Sequence, residues 1–408
     1  MKIKKVSKKQ KQILKFIESD NLYLICDGAV RSGKTVFMSA AFVIWAMQYY
    51  DRTNFAICGK TVQSAERNVL KPLQENESLP YTMSYKVSTK VLTVRCGNKE
   101  NYFYIFGGKD ESSYMLIQGI TLAGVLFDEV ALMPRSFVEQ ALSRAISFEH
   151  PKYWFNCNPE SPNHYFYKEW LEEQKEGTTH LHFLLEDNPI LTPQMIERTK
   201  AMYSGVFYDR YIRGLWVIAE GIIYPMFGKD SIVPTIERKY SRYVISMDYG
   251  IQNPTAMLLW GFCDGVWYQV DEFYHSGRET SQQKTDQDYY EDLERLAGDR
   301  YIDWLIIDPS ATSFIALVKQ KRRFKVRKAH NDVIDGIQKT ASAIQQGKIK
   351  VNDCCKRTIK EYGLYSWDQK ADEDRPIKDN DHAMDATRYF VNTMQIMKPK
   401  SEYISLLN

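Results

Sequence analysis

The run Gly28-Ala29-Val30-Arg31-Ser32-Gly33-Lys34-Thr35 fits the pattern G-x-x-x-x-G-K-[ST] at every fixed position. It follows the apolar, strand-like stretch NLYLIC and opens a run of helical character. This context matters, because the pattern works only where a strand ends and a helix begins. The glycines let the loop curl until backbone N–H groups and the helix N-terminus face an anion. Lys34 then reaches the terminal phosphates, and Thr35 offers its hydroxyl to Mg2+. The expectation is a P-loop NTPase domain of α/β class, with Gly28, Arg31, Ser32, Gly33, Lys34 and Thr35 around ATP and its Mg2+.

From Leu22 to about Ile218, short apolar runs (NLYLIC, NFAIC, AGVLF, YWFNC) alternate with helical patterns. That alternation predicts a mostly parallel sheet with crossover helices. The stretch VLTVRCGNKENYFYIFGG interrupts it and reads as a hairpin turning at Gly97 and Asn98. Between Gly221 and Tyr240 the periodicity fades into glycines, prolines and charges, the composition of a linker. We expect a first domain over 1–235, its linker beginning near 221, and a second over 236–408. A length of 408 residues agrees, since single cores stop growing below that size. After the boundary RYVISMDYG, TAMLLWGF and GVWYQVDEFY follow in succession, then a polar helix, the strand WLIIDPS and further helices. That order predicts a mixed sheet.

A phosphate loop needs a second acidic site to hold Mg2+ and to orient the attacking water. AGVLFDEV supplies it at the end of an apolar strand: Asp128 for the ion, and Glu129 as general base. The next strand ends in Asn156-Cys157-Asn158-Pro159, at the carboxyl edge where open α/β sheets bind ligands, and Asn158 is placed to sense the terminal phosphate.

A second constellation lies beyond the linker. Asp248 ends RYVISMDYG, Asp308 ends the strand of WLIIDPS, and Asp385 lies in the helical segment DNDHAMDATRYF. Carboxylates gathered at one sheet edge raise each other's pKa unless cations stand between them, and Mg2+ suits such hard donors. Two Mg2+ or Mn2+ ions held about 3.5–4 Å apart activate water and stabilise the leaving oxygen of a phosphodiester, which is nuclease chemistry. His382, three residues before Asp385, falls on the same helix face, within reach of the metal shell or of a proton transfer.

Composition excludes rather than assigns. Hydrophobic residues make up 44% and charged residues 26%, ordinary for a globular chain, so disordered and fibrous classes are out. The longest apolar stretch, Val36 to Met47, is too short to span a bilayer and reads as a buried helix behind the phosphate loop. The basic N-terminus MKIKKVSKKQKQILKF lacks a signal core and reads as a solvated amphipathic helix. A net charge of +3 does not decide partners, and seven scattered cysteines without C-x-x-C spacing suit reduced thiols in a cytosol.

Taken together, GAVRSGKT, LFDE, NCNP, RYIRGLWVIAEGIIYPMF, MDYGIQNPTA, IIDPS and DHAMDATRY resemble, in order and spacing, the large terminase subunit of tailed bacteriophages, particularly its PBSX-type branch. The resemblance runs over nearly the whole chain. It implies an additional-strand ATPase motor joined to a ribonuclease H-like nuclease that trims concatemeric viral DNA. Lys34 and Thr35 match the nucleotide loop, Asp128 and Glu129 the magnesium and water residues, and Asn158 the coupling segment. Asp248, Asp308 and Asp385 match the nuclease acids, with His382 beside them. The family further implies double-stranded DNA, a portal protein and a small terminase subunit as partners, and a homo-oligomeric ring during packaging with a monomer in solution. No membrane is involved, and the place of work is the bacterial host cytoplasm, with transient docking at the procapsid portal vertex. One departure concerns the trans-acting basic finger: Gln118-Gly119 stands where many members carry a basic residue, leaving Arg144, Lys109 and Arg31 as alternatives. The competing readings are a helicase-like ATPase whose second domain only binds nucleic acid, and a non-catalytic capsid-vertex protein.

Overall fold

A computed structural model describes residues 5–250, 254–276, 284–369, 371 and 374–397. Residues 251–253 of MDYGIQNPTA and the first four of the basic N-terminus lie outside the described residues. The chain forms two compact units, Met1–Lys200 with Tyr208–Ile218, and Ala201–Phe207 with Ala219–Asn408.

In the first unit, β1 (Tyr23–Gly28), β2 (Asn54–Gly59), β3 (Thr82–Lys86), β4 (Val91–Cys96), β5 (Lys99–Gly107), β6 (Gly124–Asp128), β7 (Lys152–Asn156) and β8 (Thr178–Phe183) make one sheet in the order β3-β4-β5-β2-β6-β7-β1-β8. From β5 to β8 all neighbours run parallel, while β3 and β4 add an antiparallel edge. The hairpin at Gly97 forms as the sequence suggests, with φ +58° at that glycine. Strand β7 stands between β1 and β6, which is the extra strand of the additional-strand class.

The N-terminal helix α1 (Lys8–Ile17), capped by Ser7, buries Ile13, Phe16 and Ile17, with Phe16 edge-on to Trp154 at 4.9 Å. Helix α2 (Lys34–Tyr49) is buried along most of its length, as its uninterrupted apolar run demands, and puts Phe42 and Trp45 against Phe55. Two buried polar residues add donors at helix ends, where the last carbonyls run short of partners within the helix. Asn101 donates to Ala46 O and Tyr50 O at 3.1 and 3.0 Å, and Lys152 donates to Phe16 O, Ser19 O and Asn21 O at 3.0, 2.8 and 2.9 Å. The opposite face is covered by α3 (Arg135–Ser143), which brings Phe137, Val138 and Ala141 to the sheet. Helix α4 (Gly205–Tyr211) passes from one unit to the other.

In the second unit, β9 (Ile232–Val233), β10 (Arg242–Asp248), β11 (Thr255–Cys263), β12 (Val266–His275), β13 (Trp304–Ile307), β14 (Val326–Lys328) and β15 (Ile349–Asn352) form a sheet in the order β14-β13-β10-β11-β12-β15-β9. Strands β10 to β12 are an antiparallel meander, and β13 and β14 join β10 in parallel, the mixed pattern of a ribonuclease H-like core. Helices α5 (Asp286–Ala297) and α6 (Thr312–Lys321) pack with the sheet around Leu293, Phe314 and Leu305; α7 (Val333–Gln345) and α8 (Lys356–Tyr362) follow. Helix α9 (His382–Met394) is buried on nearly every side, and Phe390 stacks on Trp260 with centroids 4.3 Å apart. Burial of such a ring stabilises by roughly 1.5–3 kcal/mol.

The chain passes from the first to the second unit at 200–201 and, for the last time, at 218–219, upstream of residue 235. The stretch 222–233, linker-like in composition, is built into the second unit: Ile222 bridges Ser366, Ile223 N donates to Tyr365 O at 2.9 Å, and β9 pairs with β15. Ile223 and Tyr224 between its turns are buried, so its glycines and prolines shape a packed loop. Among the described residues, no helix is long and apolar enough to cross a membrane, and all seven cysteines are unpaired.

Candidate active sites

Strand β1 ends at Gly28, where φ is +119° and a Cβ would stand 2.0 Å from the Phe183 carbonyl oxygen of β8, so only glycine fits. The chain turns through Arg31 (φ +55°) to Gly33 (φ +84°), from which α2 starts. This turn closes the loop on Lys34. Its buried ammonium donates to Gly28 O and Ala29 O at 3.1 and 2.7 Å, to Ser32 Oγ at 3.3 Å and to Asn158 Oδ1 at 3.2 Å. Burial pushes the Lys34 pKa down to about 8, against the pull of Cys157, Asp27 and Asp128.

One turn of α2 and two neighbouring strand ends bring together the residues expected to hold magnesium. Thr35 Oγ1 donates to Asp128 Oδ1 at 3.2 Å, and Asn156 Nδ2 reaches both Thr35 Oγ1 (2.7 Å) and Asp128 Oδ1 (2.5 Å). Asn68 Nδ2 approaches Asp128 Oδ2 at 3.5 Å. Burial raises the Asp128 carboxyl despite these donors. Glu129 follows in the left-handed region (φ +63°), a backbone state that costs a non-glycine residue roughly 1–3 kcal/mol and recurs where a side chain must be aimed. Burial first, then the charge of Asp128, pushes its pKa up to about 7, only partly offset by Arg67 and Lys60. Glu129, Asp128, Thr35, Lys34 and Asn158 line one cavity of about 410 Å3, open to solvent. Hard oxygen donors of Thr35 and Asp128 beside a lysine suit a magnesium–phosphate pair.

Asn156, in the NCNP run but without a role assigned to it there, lines this cavity; Asn68 and Asn188 line it too, and Gln10 stands behind the loop, none of these three belonging to a motif. Strand β7 ends at Asn156, at the sheet edge shared with Asp128, which is why the strand-end run brings it here. Asn68 belongs to the helical segment 62–74, Asn188 donates to Arg31 O at 2.7 Å, and Gln10 of α1 has Nε2 only 2.9 Å from where a Gly33 Cβ would sit. No local pattern marks any of these three. Of the finger alternatives, Arg31 is exposed on the loop bend, Lys109 lies just past β5, and Arg144 caps the end of α3.

In the second unit β10 and β13 lie side by side and parallel, so Asp248 and Asp308 reach the same sheet edge, and α9 crosses behind them with Asp385. His382 Nδ1 pairs with Asp248 Oδ2 at 2.8 Å. Burial lowers the His382 pKa, but the Asp248 bond and charge outweigh it and raise it. Asp248 itself is raised by burial and by the charges of Asp385 and Asp381, with His382 opposing. Asp308 is held below the usual carboxylate range: burial is outweighed by donors on Ser310, Asn331 and Tyr389. Lys378 Nζ stands 3.8 Å from Asp385 and 3.6 Å from Asp381. The buried Asp385 Oδ1 lies 2.8 Å from Arg388 Nη2 yet lacks a hydrogen bond of good geometry.

Among the described residues, no three His, Cys, Asp or Glu side chains form a ready metal cage, because Asp248 turns to His382 and Asp385 to Arg388. The donor chemistry nonetheless fits a hard divalent ion, since buried carboxylates repelling one another and an unsatisfied Asp385 oxygen are what a cation relieves. Tyr389, raised by burial and by the charges of Asp248, Asp385 and Asp308, sits amid the three acids. Asp381, Asp385, Arg388 and Tyr389 follow at i, i+4, i+7 and i+8, a helical stripe that DHAMDATRY carries in plain view.

Residues 25–228 match a family model described as the N-terminal part of the terminase large subunit, T4-like-virus type. No curated protein matches. Among solved structures, the large terminase of a thermophilic bacteriophage is 50% identical over 96% of this chain and 100% of its own, with a TM-score of 0.91. The same phage protein solved with ADP and with ATP-gamma-S is 49% identical in each, covering 95% of this chain and 99% of that one, with TM-scores of 0.89 and 0.88. Half the residues shared from end to end, on a phosphate loop and an acidic strand end that stand together, leave one assignment: the chain belongs to the family of phage terminase large subunits.

Proposed function

We propose that the first unit hydrolyses ATP to drive double-stranded DNA into a procapsid, and that the second cuts concatemeric DNA with divalent metal ions. The observation that carries the reading is the convergence of Lys34, Thr35, Asp128, Asn156 and Glu129 on one cavity. A bound Mg2+ would neutralise charge on the transferring phosphate, held by Thr35 and Asp128. Lys34 neutralises the terminal phosphates, and Glu129, near neutral pKa, takes a proton from water at its carboxylate oxygen. In the second unit Asp248, Asp308 and Asp385 would hold two Mg2+ or Mn2+ ions, which would supply an activated water and leaving-group stabilisation. His382 engages Asp248 through Oδ2 alone, so His382 is placed to orient that acid for a cation at its other oxygen and to move a proton. Contacts to DNA go to phosphates, since a motor must accept any sequence, and affinity falls steeply with salt. The portal, the small subunit, a packaging ring and the host cytoplasm as workplace belong to the same proposal.

Glu129→Gln is expected to lower DNA-stimulated ATP turnover by about 10²–10⁴-fold while nucleotide still binds. Unchanged turnover would show that the base lies elsewhere. Plasmid nicking with Mg2+ or Mn2+ tests the other half: Asp248→Ala and Asp385→Ala should each abolish it. Cutting that survives both would show that these acids do not do the cutting, and a wild type that never nicks points instead to a second unit that only binds nucleic acid.

A further inference from the structure

Arg210 is wholly buried, although a guanidinium cannot shed its charge. Near the end of α4 its Nη1 meets Glu160 Oε2 at 3.1 Å, while Nε and Nη2 donate to the Val217 carbonyl at 3.1 and 2.6 Å. Tyr211 Oη donates to Glu160 Oε1 at 3.4 Å. Glu160 stands two residues beyond Asn158 with Pro159 between, and proline's fixed φ, with the limits it sets on the residue before it, makes that piece stiff. At its far end Asn158 Oδ1 is one of four acceptors around the Lys34 ammonium, which has three protons to give. A phosphate oxygen that takes one of those protons competes directly with Asn158.

The same segment is gripped from the strand side. Trp216 Nε1 donates to Asp27 Oδ2 at 2.9 Å, and Val30 N of the phosphate loop donates to the Tyr211 carbonyl at 2.8 Å. Asp27 Oδ1 takes His180 Nε2 and His182 Nδ1 at 2.8 and 3.0 Å. Residues 208–217 therefore touch the phosphate loop at Val30 and the residues behind the cavity at Asp27 and Glu160, and the chain enters the second unit two residues further on.

We propose that Arg210 is a positioning residue that reads the state of Lys34 through Asn158 and Glu160 and sets the position of segment 208–217. The proposal rests on the ATPase reading above. A merely structural Arg210 would hold the segment identically whatever nucleotide is bound, so the distinguishing readout is a nucleotide-dependent one.

Hydrogen exchange on the full chain, with and without ATP-gamma-S or ADP, follows peptides covering 28–35 and 208–217. The wild type should show nucleotide-dependent protection in both. R210K keeps the charge but loses the fork, and should retain protection at 28–35 while the nucleotide-dependent difference at 208–217 falls at least about fivefold. E160Q, which keeps shape and acceptor but not charge, should behave alike and decides the matter if R210K melts early. Wild-type differences at 208–217 in both variants overturn the relay. So does a wild type whose 208–217 segment ignores nucleotide while 28–35 responds. If 28–35 itself responds to neither nucleotide, the ATPase reading has failed and takes the relay with it.

Discussion

At the scale of single residues, the nucleotide cavity is built from groups whose ionisation is tuned by burial. Lys34, pushed down to about 8, is largely protonated at pH 7 and loses its proton as pH rises through 8. An anion binds the protonated form, so nucleotide affinity should stay level up to about pH 8 and then fall by up to about tenfold per unit. Calorimetric titration of ADP between pH 7 and 9.5 checks this, and a flat profile would contradict it. Asn156 joins the Thr35 hydroxyl to the Asp128 carboxylate, the two groups proposed to hold magnesium, through one amide. Asn156→Ala should lower ATP turnover by about 10²-fold, the usual loss of one preorganised donor, with little change in nucleotide binding. Steady-state kinetics with a separate binding assay reads the two quantities apart. The motif residues were legible in the sequence because their spacing is local. Asn68, Asn188 and Gln10 were not, because each arrives from an element whose own pattern says nothing of the phosphate loop.

At the scale of elements, parallel strands, the hairpin at Gly97 and the three-strand meander all follow from apolar period and turn chemistry. Strand β8 does not: TTHLHF alternates apolar with polar residues weakly, and it forms because Gly28 lets β1 approach it. The stretch 222–233 misleads in the opposite way, since proline and glycine mark a bend and not whether the bend is packed. Helix–sheet packing also sets limits that a motif search never meets. A Cβ on Gly124 would stand 2.6 Å from Trp45 and 2.8 Å from the Lys152 carbonyl, so Gly124→Ala should destabilise by about 1–3 kcal/mol through overpacking. Urea unfolding measures it; a loss under about 0.5 kcal/mol would mean that α2 yields freely.

At the scale of the molecule, each unit has a sheet and a core of its own, so ligands should act on each separately. Mg-ATP at a hundredfold excess over Kd should raise one melting transition by about 2.7 kcal/mol, roughly 5–10 °C for a unit of about 200 residues, and leave the other in place. Scanning calorimetry of the wild type tests this, and a single transition moving as a whole would refute it. The phosphate cradle adds a last point. Lys34, Thr35 and Asp128 already hold partners within the chain. An arriving nucleotide therefore trades old bonds for new ones and gains only the difference. Such a grip is firm in placement yet shallow in free energy, which suits a cycle in which letting go counts for as much as taking hold.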